Sequence, residues 1–489
     1  MTASRIFPGR WADSAKLMSA ARKAKDEPGV AEAACFMATP ANKAQAVQLG
    51  LSDSSVAAAG ADDLVIAVSG DGAQAGLDAA VAALETPPAS NVGTAVRSPR
   101  SLTHTQADLA LVSVPGEYAA LEAHKALGRG MDVLLFSDGV TEEEELGLKR
   151  RAHELGRIVM GPGCGTAIID GVGLGFANVV AKGRVGVVAA AGTGAQEATV
   201  LLDRAGVGVS QCYGTGGHDL HTSIGAITMI DAIGRLADDP ATEVILCVSK
   251  PPDPEVAERV IAALAATGKP AAACFVGSPS LPEVGGVDVA PTLEAASASA
   301  ARLAGGTLDI PPDERAEWVV PGHIRGLFSG GTLCGEAVAI LADRVGKVGS
   351  NAPAGKAYRL EPGQSGGGHI CLDLGEEEYT RGRPHPMIDP AARAELLEEV
   401  TRDPDVGVIL VDVVLGHASH ADPAGAIAPV LAAALKRRSQ LRAVAHVCGT
   451  EADPQVRSTQ VAALTAAGVR VCETNAAAAR LAAALVGVA

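Results

Sequence analysis

Aromatic side chains are scarce in this chain of 489 residues: two Trp, four Tyr and six Phe make up 2% of it. Binding of single-stranded nucleic acid by stacking needs serial aromatics along a basic groove. Lys+Arg 40 against Asp+Glu 56 leaves a net charge of -16, so that class is disfavoured and no nucleic-acid partner is expected. The nine cysteines form no C-x-x-C pair and no His/Cys cluster at zinc spacing. No metal site is expected, and scattered thiols suit a reduced compartment. Nothing approaches the ~20 uninterrupted apolar residues of a membrane span, and the apolar C-terminal tail is broken by Arg480. The first thirty residues lack the apolar core of a secretory signal, so a cytoplasmic protein without a membrane partner is expected. Hydrophobic residues at 48% and charged residues at 20% argue against disorder. Glycine, by contrast, is plentiful at 57. Backbone N–H groups at glycine turns can hold anions where cationic side chains are few.

The hydrophobic pattern predicts an α/β protein: several doubly wound domains, Rossmann-like and flavodoxin-like, with an internal duplication and a small N-terminal α/β sandwich. Four domains are expected. Residues 1–90 read as a ferredoxin-like unit, ended by the turn-rich stretch from Thr86 to Ser101. Residues 101–182 read as a truncated CoA-binding-like Rossmann domain, in which Glu142 to Glu145 form the solvated first turn of a helix. Residues 183–307 and 323–489 read as two copies of one ligase-like domain. The first copy runs through the Val185 strand, Gly192-Thr193, Gly216-Gly-His218, Asp239-Pro240, Val244-Ile-Leu246 and Phe275-Val-Gly277. The second answers in the same order with the Ile324 strand, Gly331-Thr332, Gly367-Gly-His369, Asp403-Pro404, Val408-Ile-Leu410 and Val447-Cys-Gly449.

In each copy an apolar strand enters a glycine turn that opens a helix, with Gly192, Thr193 and Gly194 in one and Gly330, Gly331 and Thr332 in the other. Such a turn aims free N–H groups at one point and is a phosphate site without lysine. The alternative is a tight turn with a threonine cap. His218 and His369, each after Gly-Gly, are candidate catalytic groups because imidazole titrates near neutrality. Either could equally be a loop histidine bonded to its neighbours. Arg381 and Arg383, in Thr380-Arg-Gly-Arg-Pro-His-Pro386, could bind a substrate carboxylate or could be solvated cations on a rigid turn. His417, in Leu415-Gly-His-Ala-Ser-His420, is a further candidate anion contact, and Lys250 is the only cation of the corresponding first-copy loop. Cys164 reads as a buried small residue rather than a nucleophile.

Gly161-Pro-Gly-Cys-Gly-Thr-Ala-Ile168, the Val185 strand with Gly192-Thr193 and Glu197, Gly216-Gly217 and Asp239-Pro240 resemble the α subunit of succinyl-CoA synthetase. The second copy looks like another ligase domain of that superfamily. The whole chain, especially Gly382-Arg-Pro-His-Pro-Met-Ile-Asp-Pro390 with Gly449-Thr450 and Asp453-Pro-Gln455, is similar to FdrA proteins. That resemblance implies an acyl-CoA synthetase, or a subunit of oxamate carbamoyltransferase, which interconverts oxalurate plus phosphate with oxamate plus carbamoyl phosphate. It implies phosphate or an acyl or carbamoyl phosphate as the bound group, and small carboxylate or amide substrates. A homo-oligomer, or a hetero-subunit working with another chain, is implied as well. A non-catalytic scaffold is the remaining reading. The synthetase's CoA-gripping glycine loop should precede Ala107 by several dozen residues, where this chain has a Pro/Ser linker, which argues against CoA binding. The phosphohistidine segment expected between Val276 and Gly306 is missing too, and there is no room for an ATP-grasp domain.

Overall fold

The computed structural model describes residues 2–487 apart from 11, 13, 86–106, 279–284, 311, 313–318, 362–366 and 381–383. The chain forms two compact units, Met1–Gln106 and Ala107–Ala489. In the first, the strands Thr2–Phe7 and Val30–Met37 both pair antiparallel with the central strand Leu64–Gly70. Helices Ser14–Lys25 and Ala73–Glu85 cover one face through Leu17, Ala20, Ala24, Ile66, Val68 and Leu77. The short helices Pro40–Gln48 and Ser54–Ala58 cover the other through Ala46, Val56, Val65 and Ala67. The expected α/β sandwich is present, with a buried central strand that accounts for the unbroken apolar run Leu64–Val68.

The second unit carries three sheets. A small parallel sheet joins Leu109–Val112, Asp132–Leu135 and Val159–Met160. The first large sheet runs in the order Val287–Ala290, Ala271–Phe275, Val244–Ser249, Lys182–Ala190, Val209–Gly214, and its strands are parallel. An antiparallel ribbon, Thr166–Ile169 with Val172–Gly175, extends its edge through the Cys212 and Ile168 pairing. That ribbon falls within the segment 101–182, yet it belongs to the larger sheet. The second large sheet places His369–Asp373, His323–Phe328, Val406–Val414, Arg442–Cys448 and Arg470–Cys472 side by side, with Val348–Ser350 and Tyr358–Arg359 beyond. Counting only the five strands common to both copies, both sheets have the order 2-1-3-4-5, the second copy adding Val348–Ser350 and Tyr358–Arg359 beyond its His369–Asp373 strand, and their crevices lie at the carboxyl ends of the first and third strands.

One layer of helices is shared between the two sheets. Gly192–Arg204 and Leu293–Leu303 come from the first copy, Gly331–Val345 and Asn475–Leu485 from the second, and one apolar cluster runs through all four. Small residues such as Ala195, Ala198, Ala337, Ala478, Ala479, Ala482 and Ala483 line it, so the helices approach closely and large aromatics are not needed. Buried polar pairs cross the same layer. Glu197 accepts from His446 Nε2 at 2.8 Å, and Glu336 accepts from Asn475 Nδ2 at 2.8 Å. No helix among the described residues is long and apolar enough to cross a membrane.

Candidate active site

The two glycine turns meet. Strand Lys182–Ala190 ends at Ala191, which caps the helix Gly192–Arg204 with extended backbone, and no side chain among the described residues bonds the N–H groups of Gly192, Thr193 or Gly194. Gly192 is exposed, while Thr193 and Gly194 are buried. From the facing copy, Thr332 N donates to Thr193 Oγ1 at 3.2 Å. The approach is close enough to require glycine: a Cβ at Gly194 would lie 2.8 Å from Thr332 Cγ2, and one at Gly330 would lie 2.9 Å from Thr193 Cγ2.

The second turn is filled by the chain itself. Asp412, on the strand Val406–Val414, accepts from Ser329 N at 2.8 Å and from Gly330 N at 2.7 Å. Arg393 is buried and closes round this carboxylate, donating to Asp412 Oδ1 at 2.9 Å and to the carbonyls of Leu327 and Asp412. Burial lowers the affinity of that guanidinium for its proton, and the Asp412 charge opposes the shift. Of the residues expected to bind phosphate there, Gly330 thus gives its N–H to Asp412 and Thr332 gives its own to Thr193. Beside them Asp373 ends its strand against Gly331, and its Oδ1 accepts from Gly375 N at 2.9 Å. Burial pushes the Asp373 carboxyl up to about 6, with Lys250 opposing and Glu376 and Asp412 adding to the rise. Lys250, from the first copy, lies 3.6 Å from Glu376 Oε1.

The histidines divide. His218 follows the strand Val209–Gly214 at its carboxyl end and is exposed, with Nδ1 3.4 Å from Glu145 Oε2. Glu145 is itself buried, 2.7 Å from the equally buried Lys149, which also bonds Asp219 Oδ1 at 2.8 Å and the carbonyl of Thr215 at 3.0 Å. Asp219 in turn accepts from Thr228 N and Met229 N and so caps the helix Ile227–Asp238. Of the four glutamates read as a solvated turn, Glu145 is the exception, because it neutralises a buried lysine that anchors the His218 loop. His369 is displaced from the site. It begins its strand, at the end of the sheet opposite Asp373, and its Nδ1 accepts from Ile324 N at 3.1 Å. Burial and the neighbours His323 and Arg325 lower its affinity for a proton. The structure thus places His369 at the far end of its strand from Asp373, with Nδ1 engaged by the backbone. His417 is exposed at the rim, with its N–H bonded to the carbonyl of Ala177 at 2.9 Å. Arg381 and Arg383 lie outside the described residues. Burial pushes the Cys164 thiol up to about 11, in keeping with an inert packing role.

Sequence reasoning passed over Asp373, Asp412 and Arg393. The available signal was an acid inside an apolar strand, as in Val408-Ile-Leu-Val-Asp-Val-Val414 and Ile370-Cys-Leu-Asp373. A buried carboxylate there needs donors, and the glycine turn supplies them.

Residues 327–485 match the family model described as CoA-ligase, and residues 180–277 match the CoA binding domain. The second match falls on the first large sheet, including its glycine turn, and so weighs against the doubt that the missing glycine loop casts on CoA binding. Residues 1–96 match the AllF, heavy metal-associated domain, although no group of His, Cys, Asp and Glu among the described residues could hold a metal ion. YahF of Escherichia coli (strain K12), an uncharacterized protein, is 39% identical over 495 residues, covering 96% of each chain. The chain belongs to the YahF family. Its other relatives are matched more narrowly. The succinate–CoA ligase [ADP-forming] α subunit of Methanothermobacter thermautotrophicus is 27% identical over 143 residues, 29% of this chain and 47% of that one. The mitochondrial α-2 subunit of Trichomonas vaginalis is 28% identical over 190 residues, 36% of this chain and 59% of that one. The chain thus spans about half the length of the CoA-ligase subunits it matches. A solved dinucleotide-forming acetyl-coenzyme A synthetase 1 of Ca. Korarchaeum cryptofilum aligns with TM-score 0.34 at 17% identity, over 82% of this chain and 87% of that one.

Proposed function

We propose that this YahF-family chain is an acyl- or carbamoyl-transfer enzyme, or a subunit of one, of the FdrA type, and that it takes phosphate or an acyl or carbamoyl phosphate at the first-copy turn. The observation that carries the reading is the open start of the first-copy helix: no side chain among the described residues bonds the N–H groups of Gly192, Thr193 and Gly194, and Gly192 is exposed, whereas in the second copy Thr332 N is taken by Thr193 Oγ1 and Asp412 takes Ser329 N and Gly330 N just ahead of the helix. Preorganised donors at a helix N-terminus stabilise charge that develops on phosphate as it leaves. Gly330, Gly331 and Thr332 shape the opposite wall. His218 would shuttle a proton at the mouth, and Arg381, Arg383 and His417 would hold the substrate carboxylate. An oxamate-carbamoyltransferase-like reaction fits these roles.

The test is substitution at Val248, whose Cγ1 lies 3.0 Å from the point a Cβ would occupy at Gly194. Val248→Asp should set a carboxylate beside the start of the first helix, as Asp412 stands beside the second, and its charge should abolish phosphate binding measured by calorimetry. Undiminished binding would refute this placement. Transfer activity is assayed with carbamoyl phosphate and small amide acceptors, alone and with candidate partner chains.

The match to a CoA binding domain at residues 180–277 favours a second reading, an acyl-CoA synthetase that borrows its ATP-grasp part from another chain. The same turn would hold a phosphate of CoA, which supplies the acyl-accepting thiol when bound. Calorimetric titration with CoA and with ATP separates the two readings. A scaffold subunit would keep its partner's activity in the His218→Asn variant.

A further inference from the structure

His385 stands in the rigid turn Pro384-His-Pro386, and its carbonyl accepts from Ile388 N at 2.8 Å and Asp389 N at 3.1 Å, so the backbone is held on both sides. Its Nδ1 accepts from Met387 N at 3.2 Å. A ring nitrogen that accepts a backbone N–H carries no proton, so the proton of the neutral ring sits on Nε2. That atom has no hydrogen-bond partner among the described residues. It faces Gly375: a Cβ there would lie 2.6 Å from His385 Nε2 and 3.1 Å from Asp373 Oδ1. An imidazole donor and a carboxylate acceptor are therefore brought side by side against Gly375, where a side chain would collide with both. The ring packs on Phe176, centroids 5.9 Å apart, and burial pulls its proton affinity down to about 4, with Asp412 opposing, so the ring is neutral at physiological pH. Asp373 also abuts Gly331, which ties this point to the paired turns.

We propose that His385 Nε2–H donates a hydrogen bond to the carbonyl oxygen of the acyl or carbamoyl phosphate, while Asp373 receives the proton of the attacking group. The inference rests on the phosphate reading given above. The acceptor's lone pair forms a bond to the acyl carbon, and the C–O bond to phosphate breaks with its electron pair going to the phosphate oxygen. The acceptor's proton passes to the Asp373 carboxylate. A neutral N–H suits the first task because it polarises the carbonyl and has no proton to lose to the leaving phosphate.

The test uses the full chain with inorganic phosphate and acetyl phosphate as probes in calorimetry. Wild type should bind acetyl phosphate more tightly than phosphate. His385→Asn keeps an acceptor for Met387 N but lacks the outer donor, and should lower that ratio about tenfold, as expected for one hydrogen bond into a buried site. His385→Gln places an N–H near Nε2 and should keep the ratio within about threefold. A ratio unchanged in His385→Asn, or no preference in wild type, overturns the role of His385 and leaves the phosphate site standing. Failure of wild type to bind either probe overturns the phosphate reading and this inference with it.

Discussion

Asp373→Asn should make the protein more stable at neutral pH while removing its proton acceptor. The carboxyl is buried, and its pKa is pushed from 3.8 to about 6. Between those two values the folded chain keeps a proton that the unfolded chain has released. Stability therefore falls as pH rises through this window and levels off above pH 6. A shift of about two units corresponds to about 3 kcal/mol of cost for the ionised form, since each unit is worth about 1.4 kcal/mol. Asparagine keeps an oxygen for Gly375 N and carries no charge beside Asp412 and Glu376. The variant should therefore gain about 2–3 kcal/mol at pH 7.5 and much less at pH 4.5. Hydrogen exchange followed by mass spectrometry on the strand His369–Asp373, compared with wild type at each pH, reads local stability without assuming that the whole chain unfolds as one unit. A stability difference that does not change across that range, or a variant weaker than wild type at pH 7.5, would refute the reasoning. Transfer activity should be lost in the same variant, which is the expected opposition between stability and function at a strained site.

Two further substitutions probe the layer between the copies. Glu197→Ala should cost about 3–5 kcal/mol in urea denaturation at pH 7, because it strips the partner from a histidine that is 1% exposed. Burial raises the Glu197 pKa, but the charge and hydrogen bond of His446 outweigh it and hold the group below its ordinary 4.5. The stabilisation is therefore fully present above that pH and lost as pH falls through the lowered value, so the variant's deficit should shrink in acid. Gly194→Ala should cost about 1–3 kcal/mol by forcing Thr332 and Val248 away, and should weaken phosphate binding as well. Gly234→Ala, in the helix Ile227–Asp238 with nothing within 4 Å of the added methyl, should instead stabilise by about 0.5–1 kcal/mol in the same assay.

The sheet architecture was legible because the strands common to both copies are short apolar runs, several of them bounded by glycine or an Asp-Pro turn, and they take the same 2-1-3-4-5 arrangement in each, with Val348–Ser350 and Tyr358–Arg359 inserted in the second copy. The edge ribbon Thr166–Ile169 with Val172–Gly175 was not, since pairing with Val209–Gly214 is a tertiary contact that local pattern does not encode. The Gly-Gly-His correspondence misled for a specific reason. In the first copy the motif follows its strand, Val209–Gly214, and in the second it precedes its strand, His369–Asp373. Parallel strands present ligands at their carboxyl ends only, so the same three residues face a crevice in one copy and the far edge in the other. The true counterpart of the His218 loop begins at Asp373. Burial of Glu145 was hidden for a similar reason: its partner Lys149 lies one helical turn away, but the Asp219 that completes the cluster is 70 residues distant.

The asymmetry of the turns comes down to one aligned position. The repeat places Val244-Ile-Leu246 against Val408-Ile-Leu410, so Val248 corresponds to Asp412. The strands bear this out: Val248 registers with Ala189 of the first copy, and Leu327 of the second registers with Val411, next to Asp412. A valine offers no acceptor at Ala190 and Ala191, the counterparts of Ser329 and Gly330, whereas Asp412 satisfies those two N–H groups of the second copy and then requires buried Arg393 to offset its own charge. The duplicated scaffold thus carries a buried carboxylate beside the start of one helix and an uncharged valine beside the start of the other. A surface charge of -16 has little bearing on that place, because the donors there are main-chain N–H groups fixed by the fold. A phosphate bound at Gly192–Gly194, as proposed, would meet no carboxylate at the Val248 position, whereas the same group at Gly331 and Thr332 would face the carboxylates of Asp412 and Asp373.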